Sequence, residues 1–246
     1  MQEVIEQNES IEDLHLKGYK IIQSQNGFRF GTDAVLLADF AKPKKGDRTI
    51  DLGTGTGIIP VIFCAKADIK EAIGIEIDKE SANLAHRNVK LNNLEDKIKI
   101  VNEDLRNAGS YLPKNAFDLV VCNPPYTAKG SGFINKNKKI ISARHELNCT
   151  LEDVIKASSE LLRFGGRLCL IHRSDRLSDI VCLLRQYNIE AKRLRLVCPY
   201  ENKEPSFILI EGRYGGKSGI KILPPLIMHT KSGGYTKELK EIYENN

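Results

Sequence analysis

Five short apolar runs limit what this chain can fold into: RTIDL (Arg48–Leu52), EAIGIEI (Glu71–Ile77), IKIVN (Ile98–Asn102), FDLVV (Phe117–Val121) and RLCLIH (Arg167–His172). All are shorter than a stable helix and rich in β-branched residues, as strands buried on both faces are. Segments with helical spacing separate or follow them: IIPVIFCAKA, KESANLAHRNVKLN, LEDVIKASSELLRF and SDRLSDIVCLLRQY. Repeated strand–helix units predict a parallel sheet with helices on both faces. Two further strands, RLRLVC (Arg193–Cys198) and SFILIEGR (Ser206–Arg213), are joined only by the loop PYENKEP. That loop is too short for a crossover helix, so the last pair is expected to be antiparallel. The predicted α/β sheet therefore has seven strands, the first five or six parallel and the last reversed.

At 246 residues the chain has room for one large α/β domain. Residues 1–47 read as a short hairpin (YKIIQSQNGFRF, with Asn26-Gly27 at its turn) and a helix, TDAVLLADFA, capped by Thr32 or Asp33. Residues 48–213 form the core, and 214–246 a Gly- and Pro-rich, then amphipathic, extension that packs over the core or borders the site. No run of 18 or more apolar residues is present and the polar start MQEVIEQNES does not resemble a secretory signal, so the expected setting is the cytoplasm, away from membranes. No obligate protein partner is evident. The six cysteines form no C-x-x-C pair, and all but Cys149 sit in apolar runs, which reads as reduced core residues. The five histidines show no H-E-x-x-H spacing, so no metal is expected.

The net charge of +5 is modest, but its distribution is uneven. Lys42, Lys44 and Lys45 fall together, and Arg173, Arg176, Arg185, Lys192, Arg193 and Arg195 read as solvated charge. A group comprising Lys129, Lys136, Lys138, Lys139 and Arg144 follows directly on NPPY (Asn123 to Tyr126), where basic side chains could neutralise phosphates flanking a reacting base.

DLGTGTG, Asp51 to Gly57, joins the first core strand to an apolar helix. Glycines at 53, 55 and 57 permit a tight turn in which backbone N–H groups approach a ligand. A dinucleotide fingerprint needs a small residue where Ile58 stands, which argues against a nicotinamide cofactor. Glu76 ends the second strand in GIEID, where a carboxylate can accept both hydroxyls of a ribose. Asp104, in NEDL after the third strand, is placed to accept from an adenine amine. Three such elements at successive strand ends point to one adenosine-containing ligand outside the carboxyl edge of the sheet.

DLGTGTG, GIEID, NEDL and NPPY together resemble the S-adenosylmethionine-dependent methyltransferases of the seven-stranded Rossmann-like class, over roughly Arg48 to Arg213. Within that class NPPY resembles the signature of enzymes that methylate a nitrogen conjugated to a π-system. These are adenine N6 methyltransferases, guanine N2 rRNA methyltransferases and release-factor glutamine methyltransferases. The flanks KIIQSQNGFRFGTDAVLLADFA and ILPPLIMHTKSGGYTKELKEIY resemble those of the bacterial tRNA(Val) adenine N6 methyltransferases, which modify the adenine beside the anticodon.

The resemblance implies S-adenosyl-L-methionine as cofactor, S-adenosyl-L-homocysteine as its product and tRNA as partner. It implies cofactor contacts from Phe30, Thr32, Asp33, Asp51, Gly53, Thr54, Gly55, Gly57, Glu76, Ile77, Asp104, Leu105 and Asn123. Asn123, Pro124 and Tyr126 would act on the base, and Pro125 with the basic group at Lys129, Lys136, Lys138, Lys139 and Arg144 would contact RNA. An adenine amine is a poor nucleophile because its lone pair is delocalised. Acceptors at the Asn123 amide and the Pro124 carbonyl would hold its hydrogens and favour the pyramidal geometry of the transition state. Tyr126 would offer a stacking face.

About 47 residues precede the first core strand. That is too few for the helical domain of the release-factor enzymes, and no stretch is large enough for a DNA target-recognition domain. An rRNA target (adenine N6 or guanine N2) or a release-factor glutamine stays as the alternative substrate, and the non-enzyme alternative is an RNA- or cofactor-binding module that has kept the fold without the chemistry.

Overall fold

The computed structural model describes residues 8–24, 31–124 and 149–244. The strands of its main sheet are β3 (Arg48–Leu52), β4 (Glu71–Ile75), β5 (Ile98–Val101), β6 (Phe117–Cys122), β7 (Leu162–Arg173), β8 (Ile189–Cys198), β9 (Phe207–Tyr214) and β10 (Lys221–Ile222). They lie side by side in the order β10-β8-β9-β7-β6-β3-β4-β5. β3 to β7 are parallel, and β9 is antiparallel to both β7 and β8. β8 therefore points the same way as β7, and the sequence-based topology holds.

The elements differ from expectation at their ends. β4 stops at Ile75, so Glu76 lies just beyond the strand. β7 begins at Leu162 because the preceding helix ends at Leu161, ahead of the two-glycine step at Gly165-Gly166. The extension adds strands that the sequence pattern did not show: β10 and a second two-residue strand, β11 (Leu226–Ile227), both parallel to β8.

Alternation along β6 assigns its two faces. Leu119 and Val121 pack with α1 (Thr32–Ala41), α2 (Ile58–Lys66) and α3 (Lys79–Leu91). Val120 and Cys122 pack with α5 (Leu151–Leu161) and α6 (Leu177–Gln186), while the short α4 (Ala108–Tyr111) adds Ala108 to that layer. Thr150 caps α5 reciprocally with Asp153. The C-terminal helix α7 (Lys237–Glu244) buries Leu239 and Ile242 in the α1 layer, so the extension covers the core and also borders the sheet.

Two local expectations are corrected, and one hairpin is added to those expected. The added hairpin pairs β1 (Glu9–Leu16) with β2 (Tyr19–Ser24) across Lys17 and Gly18, both at positive φ. Asn26-Gly27 lies outside the described residues. Neither Thr32 nor Asp33 caps α1; its N-cap is Gly31, and the Asp33 carboxylate accepts from the adjacent Ala34 N–H at 3.1 Å. Cys182 is exposed on α6, because the apolar run around it presents Ile180 and Leu184 to the core instead.

Candidate active site

The carboxyl ends of β3, β4, β5 and β6 meet at one edge of the sheet. Gly53, Gly55 and Gly57 all have positive φ (73°, 55° and 79°), which L side chains rarely adopt, so the turn out of β3 depends on glycine. The loop is drawn onto β4, where Gly53 and Thr54 both donate to the Ile75 carbonyl at 2.9 Å. A Cβ on Gly74 would lie 2.8 Å from Thr54 Cγ2, so this glycine, which sequence reasoning does not single out, is what lets the loop approach the strand.

Two carboxylates sit beneath this loop. Glu76 is 6% exposed, and its oxygens accept from the Gly55 N–H and the Asp78 N–H, each at 2.9 Å. Asp51 is 2% exposed, with Oδ2 accepting from the Thr54 hydroxyl at 2.7 Å. Its Oδ1 is buried without a hydrogen-bond partner among the described residues. Burial, with the charge of Glu76 nearby, pushes the Asp51 carboxyl up to about 7 against the pull of the Thr54 bond. A buried carboxylate with an unused oxygen under a glycine loop is a receptor for a cation with hydrogen-bond donors. S-adenosylmethionine carries an ammonium group, a sulfonium and two ribose hydroxyls, and these residues fit it.

Asp104 caps the turn at Leu105–Asn107 by accepting from the Arg106 N–H at 2.9 Å. The same carboxylate is ion-paired with the Arg106 guanidinium, which holds it below the usual carboxylate range. Asn102, which sequence reasoning passes over, donates to the carbonyls of Glu76 (2.8 Å) and Ile77 (3.1 Å), tying the ends of β4 and β5 together; Ile77 itself is 47% exposed. Leu105 is half-buried beside them.

Asn123 and Pro124 follow β6, half-buried. Cys122 and Leu52 are register partners, so Asn123 and Gly53 leave the sheet side by side. Thr32 and Asp33 open α1, and the Thr32 hydroxyl oxygen accepts from Tyr243 Oη at 3.0 Å. Phe30, Pro125, Tyr126, Lys129, Lys136, Lys138, Lys139 and Arg144 lie outside the described residues. The arginines read from the sequence as solvated charge are ion-paired within the chain: Arg173 to Asp175, Arg176 to Asp179, Arg185 to Glu190, Arg193 to Glu211 and Arg195 to Glu238.

A third residue that sequence reasoning misses is Asn88. Fully buried on α3, it accepts from Ile22 N–H at 2.6 Å and donates to Ile22 O (3.2 Å) and Thr56 O (2.9 Å). One side chain thus fastens the N-terminal hairpin to the glycine loop. The available signal is an asparagine on the apolar face of KESANLAHRNVKLN. Among the described residues no group of three or more His, Cys, Asp and Glu could hold a metal ion, and no helix is long and apolar enough to cross a membrane.

Residues 14–186 match the family model of the methyltransferase small domain. A tRNA1(Val) (adenine(37)-N6)-methyltransferase of Porphyromonas gingivalis is 33% identical over 237 residues, spanning 93% of this chain and 92% of that protein. Its namesake in Bacteroides thetaiotaomicron is 26% identical, spanning 92% and 95%. Among solved structures, a predicted O-methyltransferase of Agrobacterium tumefaciens superposes with a TM-score of 0.69 at 24% identity, over 87% of this chain and 95% of that one. A geranyl diphosphate C-methyltransferase of Streptomyces coelicolor, solved with S-adenosyl-L-homocysteine, has the same fold with a TM-score of 0.53 at 14% identity, over 74% of each chain. The glycine loop, its buried acids and the NPP strand end thus lie in a Rossmann-like methyltransferase fold, and the chain belongs to the methyltransferase small domain family, among the tRNA1(Val) (adenine(37)-N6)-methyltransferases.

Proposed function

We propose that this chain, working as one domain, transfers a methyl group from S-adenosyl-L-methionine to the N6 amine of an adenine in tRNA, the one at position 37 of a tRNA(Val). The observation that carries the reading is the register of β3 and β6, which sets Asn123 beside the glycine loop and its buried carboxylates. Glu76 and Asp51 hold the donor: the first orders the loop through Gly55, and the second offers its spare oxygen to a cationic donor group. When bound, S-adenosylmethionine supplies an electrophilic methyl.

Asn123 and Pro124 do the rest. The amide oxygen and the carbonyl accept the two amine hydrogens and stabilise the nitrogen as its lone pair turns toward the methyl, an interaction stronger in the transition state than in the ground state. Alignment of donor and acceptor across the neighbouring ends of β3 and β6 supplies much of the rate, and no strong general base is required of the chain. An adenine in an anticodon loop is already largely unpaired, so presenting it costs less than extruding it from a duplex. The enzyme would work in the cytoplasm, where tRNA is found.

The test is incubation of the protein with labelled donor and, in parallel, unmodified total tRNA, rRNA and release factor. Digestion and mass spectrometry should find N6-methyladenosine in tRNA alone, with fragment mapping placing it beside the anticodon. Label in rRNA or in glutamine would overturn the substrate, and no label despite donor binding would leave a binding module.

A further inference from the structure

The end of β8 and the C-terminal extension enclose a cavity of about 350 Å³, lined by Tyr200, Lys203, His229, Lys231 and Thr236 among others. The extension is firmly built there. Met228 N–H donates to Cys198 O at 2.9 Å, His229 N–H to Pro199 O at 3.0 Å, and Thr236 N–H to Met228 O at 3.0 Å. Aromatic rings form a row along it. Tyr200 and His229 have centroids 5.4 Å apart, His229 and Tyr235 also 5.4 Å, and Tyr235 stacks on Tyr243 at 6.1 Å with planes 4° apart. Tyr243 then bonds Thr32 at the start of α1.

Three features of this row are not explained by packing. Tyr200 and Tyr235 remain 41% and 43% exposed. His229 Nδ1 is buried without a hydrogen-bond partner among the described residues. Lys203 and Lys231 flank the rings, whereas most basic groups nearby are ion-paired within the chain. Because β8 runs parallel to β6, Tyr200 emerges at the same edge of the sheet as Asn123, three strand spacings away, or roughly 14 Å. Flat rings with exposed faces, flanked by cations at the catalytic edge, suit a single-stranded nucleic acid, whose bases stack on aromatics while its phosphates meet lysines.

We propose that this cleft, together with the Tyr235 ring that adjoins it across His229, is a second RNA subsite, which stacks nucleotides of the single-stranded loop neighbouring the reactive adenine on Tyr200 and Tyr235 and pairs a phosphate between them with Lys203 and Lys231. The inference rests on tRNA being the substrate. It gives the C-terminal extension a binding role in addition to covering the core, and it explains why Tyr243 ties the row to α1. Glu201, which also lines the cavity, disfavours a second phosphate there.

The test uses the full chain, saturated with S-adenosyl-L-homocysteine, binding a synthetic unmodified anticodon stem-loop. The variant Tyr200→Ala/Tyr235→Ala should lose about fivefold or more in RNA affinity. In methylation assays the loss should fall on the KM for RNA and not on kcat. Tyr200→Phe/Tyr235→Phe, which keeps the rings, should restore affinity. Lys203→Gln/Lys231→Gln should reduce the slope of log K against log salt by about 0.7 for each phosphate that is no longer neutralised. Variants that bind RNA as the parent does, with the same salt slope, would overturn the subsite alone. A parent that neither binds nor methylates tRNA would overturn the substrate reading, and the subsite with it.

Discussion

Beneath the end of α1, the buried Glu211 carboxylate meets Arg193 at 2.8 Å and Arg167 at 3.4 Å, whereas the equally buried Asp51 at the carboxyl edge of the sheet has one hydroxyl partner and one oxygen with none among the described residues. The first cluster is closed. Arg167 also donates to Ala41 O and Lys42 O and pairs with Asp47, and Arg193 donates to Phe40 O while lying over the Phe40 ring at 4.5 Å. Every charge there has a counter-charge, and together they pin the end of α1 to β7, β8 and β9. The second cluster is open: burial, with the Glu76 charge nearby, pushes the Asp51 carboxyl up to about 7. A buried acid matched by cations holds the fold, and a buried acid left unmatched is suited to receive a ligand.

The matched cluster should break first. Arg167→Ala takes the guanidinium from Asp47 and leaves Glu211 with Arg193 alone, besides freeing the Ala41 and Lys42 carbonyls, and urea unfolding should report a loss of about 3 kcal/mol. The affinity of the remaining folded protein for S-adenosyl-L-homocysteine should stay within twofold. A stability loss below about 1 kcal/mol would show that the cluster is not what pins α1. Asn123→Ala should do the reverse, lowering kcat by about 10²–10³ with the melting temperature and cofactor affinity little changed. Equal losses in kcat and cofactor affinity would mean that the amide serves the cofactor and not the base.

How much of this is legible in the sequence follows from range. Strands β3 to β9 announce themselves through runs of β-branched residues, and the glycine loop through a spacing that few other structures need. The pairing of β1 with β2 escapes because Asn26-Gly27 is a stronger local turn signal than Lys17-Gly18, and local signals cannot say which of two neighbouring runs a strand will join. The ion pair of Asp104 with Arg106, two residues on, leaves no signature in the sequence pattern. The contacts that assemble the site link positions far apart in the chain. Asn88 bonds Ile22 and Thr56, and Tyr243 bonds Thr32, and neither pairing leaves a periodic trace in the sequence. The aromatic row is hidden for the same reason, since Tyr200, His229, Tyr235 and Tyr243 come together only when the extension folds back on β8.

The open cluster sharpens the contrast in two smaller effects. Glu76→Gln should weaken cofactor binding by roughly 1–3 kcal/mol, seen by calorimetry, because a neutral amide replaces a charged acceptor and also loosens its hold on the Gly55 N–H. Unchanged affinity would remove Glu76 from the site.

Asp51→Asn should act on stability with the opposite sign to Arg167→Ala. The Asp51 carboxyl is raised from its ordinary 3.8 to about 7 in the fold, so the folded state keeps a proton that the unfolded chain releases. Its contribution is therefore fully present below about pH 4, is lost as pH rises through 7, and leaves the ligand-free protein weakest in alkaline buffer. An asparagine carries no such penalty. At pH 8 the ligand-free variant should gain on the order of 1 kcal/mol, about 2–4 °C in Tm for a chain of this size. The gain should vanish near pH 4, and the variant should bind cofactor more weakly throughout. A variant less stable than the parent at pH 8 would show that Asp51 is compensated in the ligand-free fold, and the distinction between the matched and unmatched clusters would fall with it.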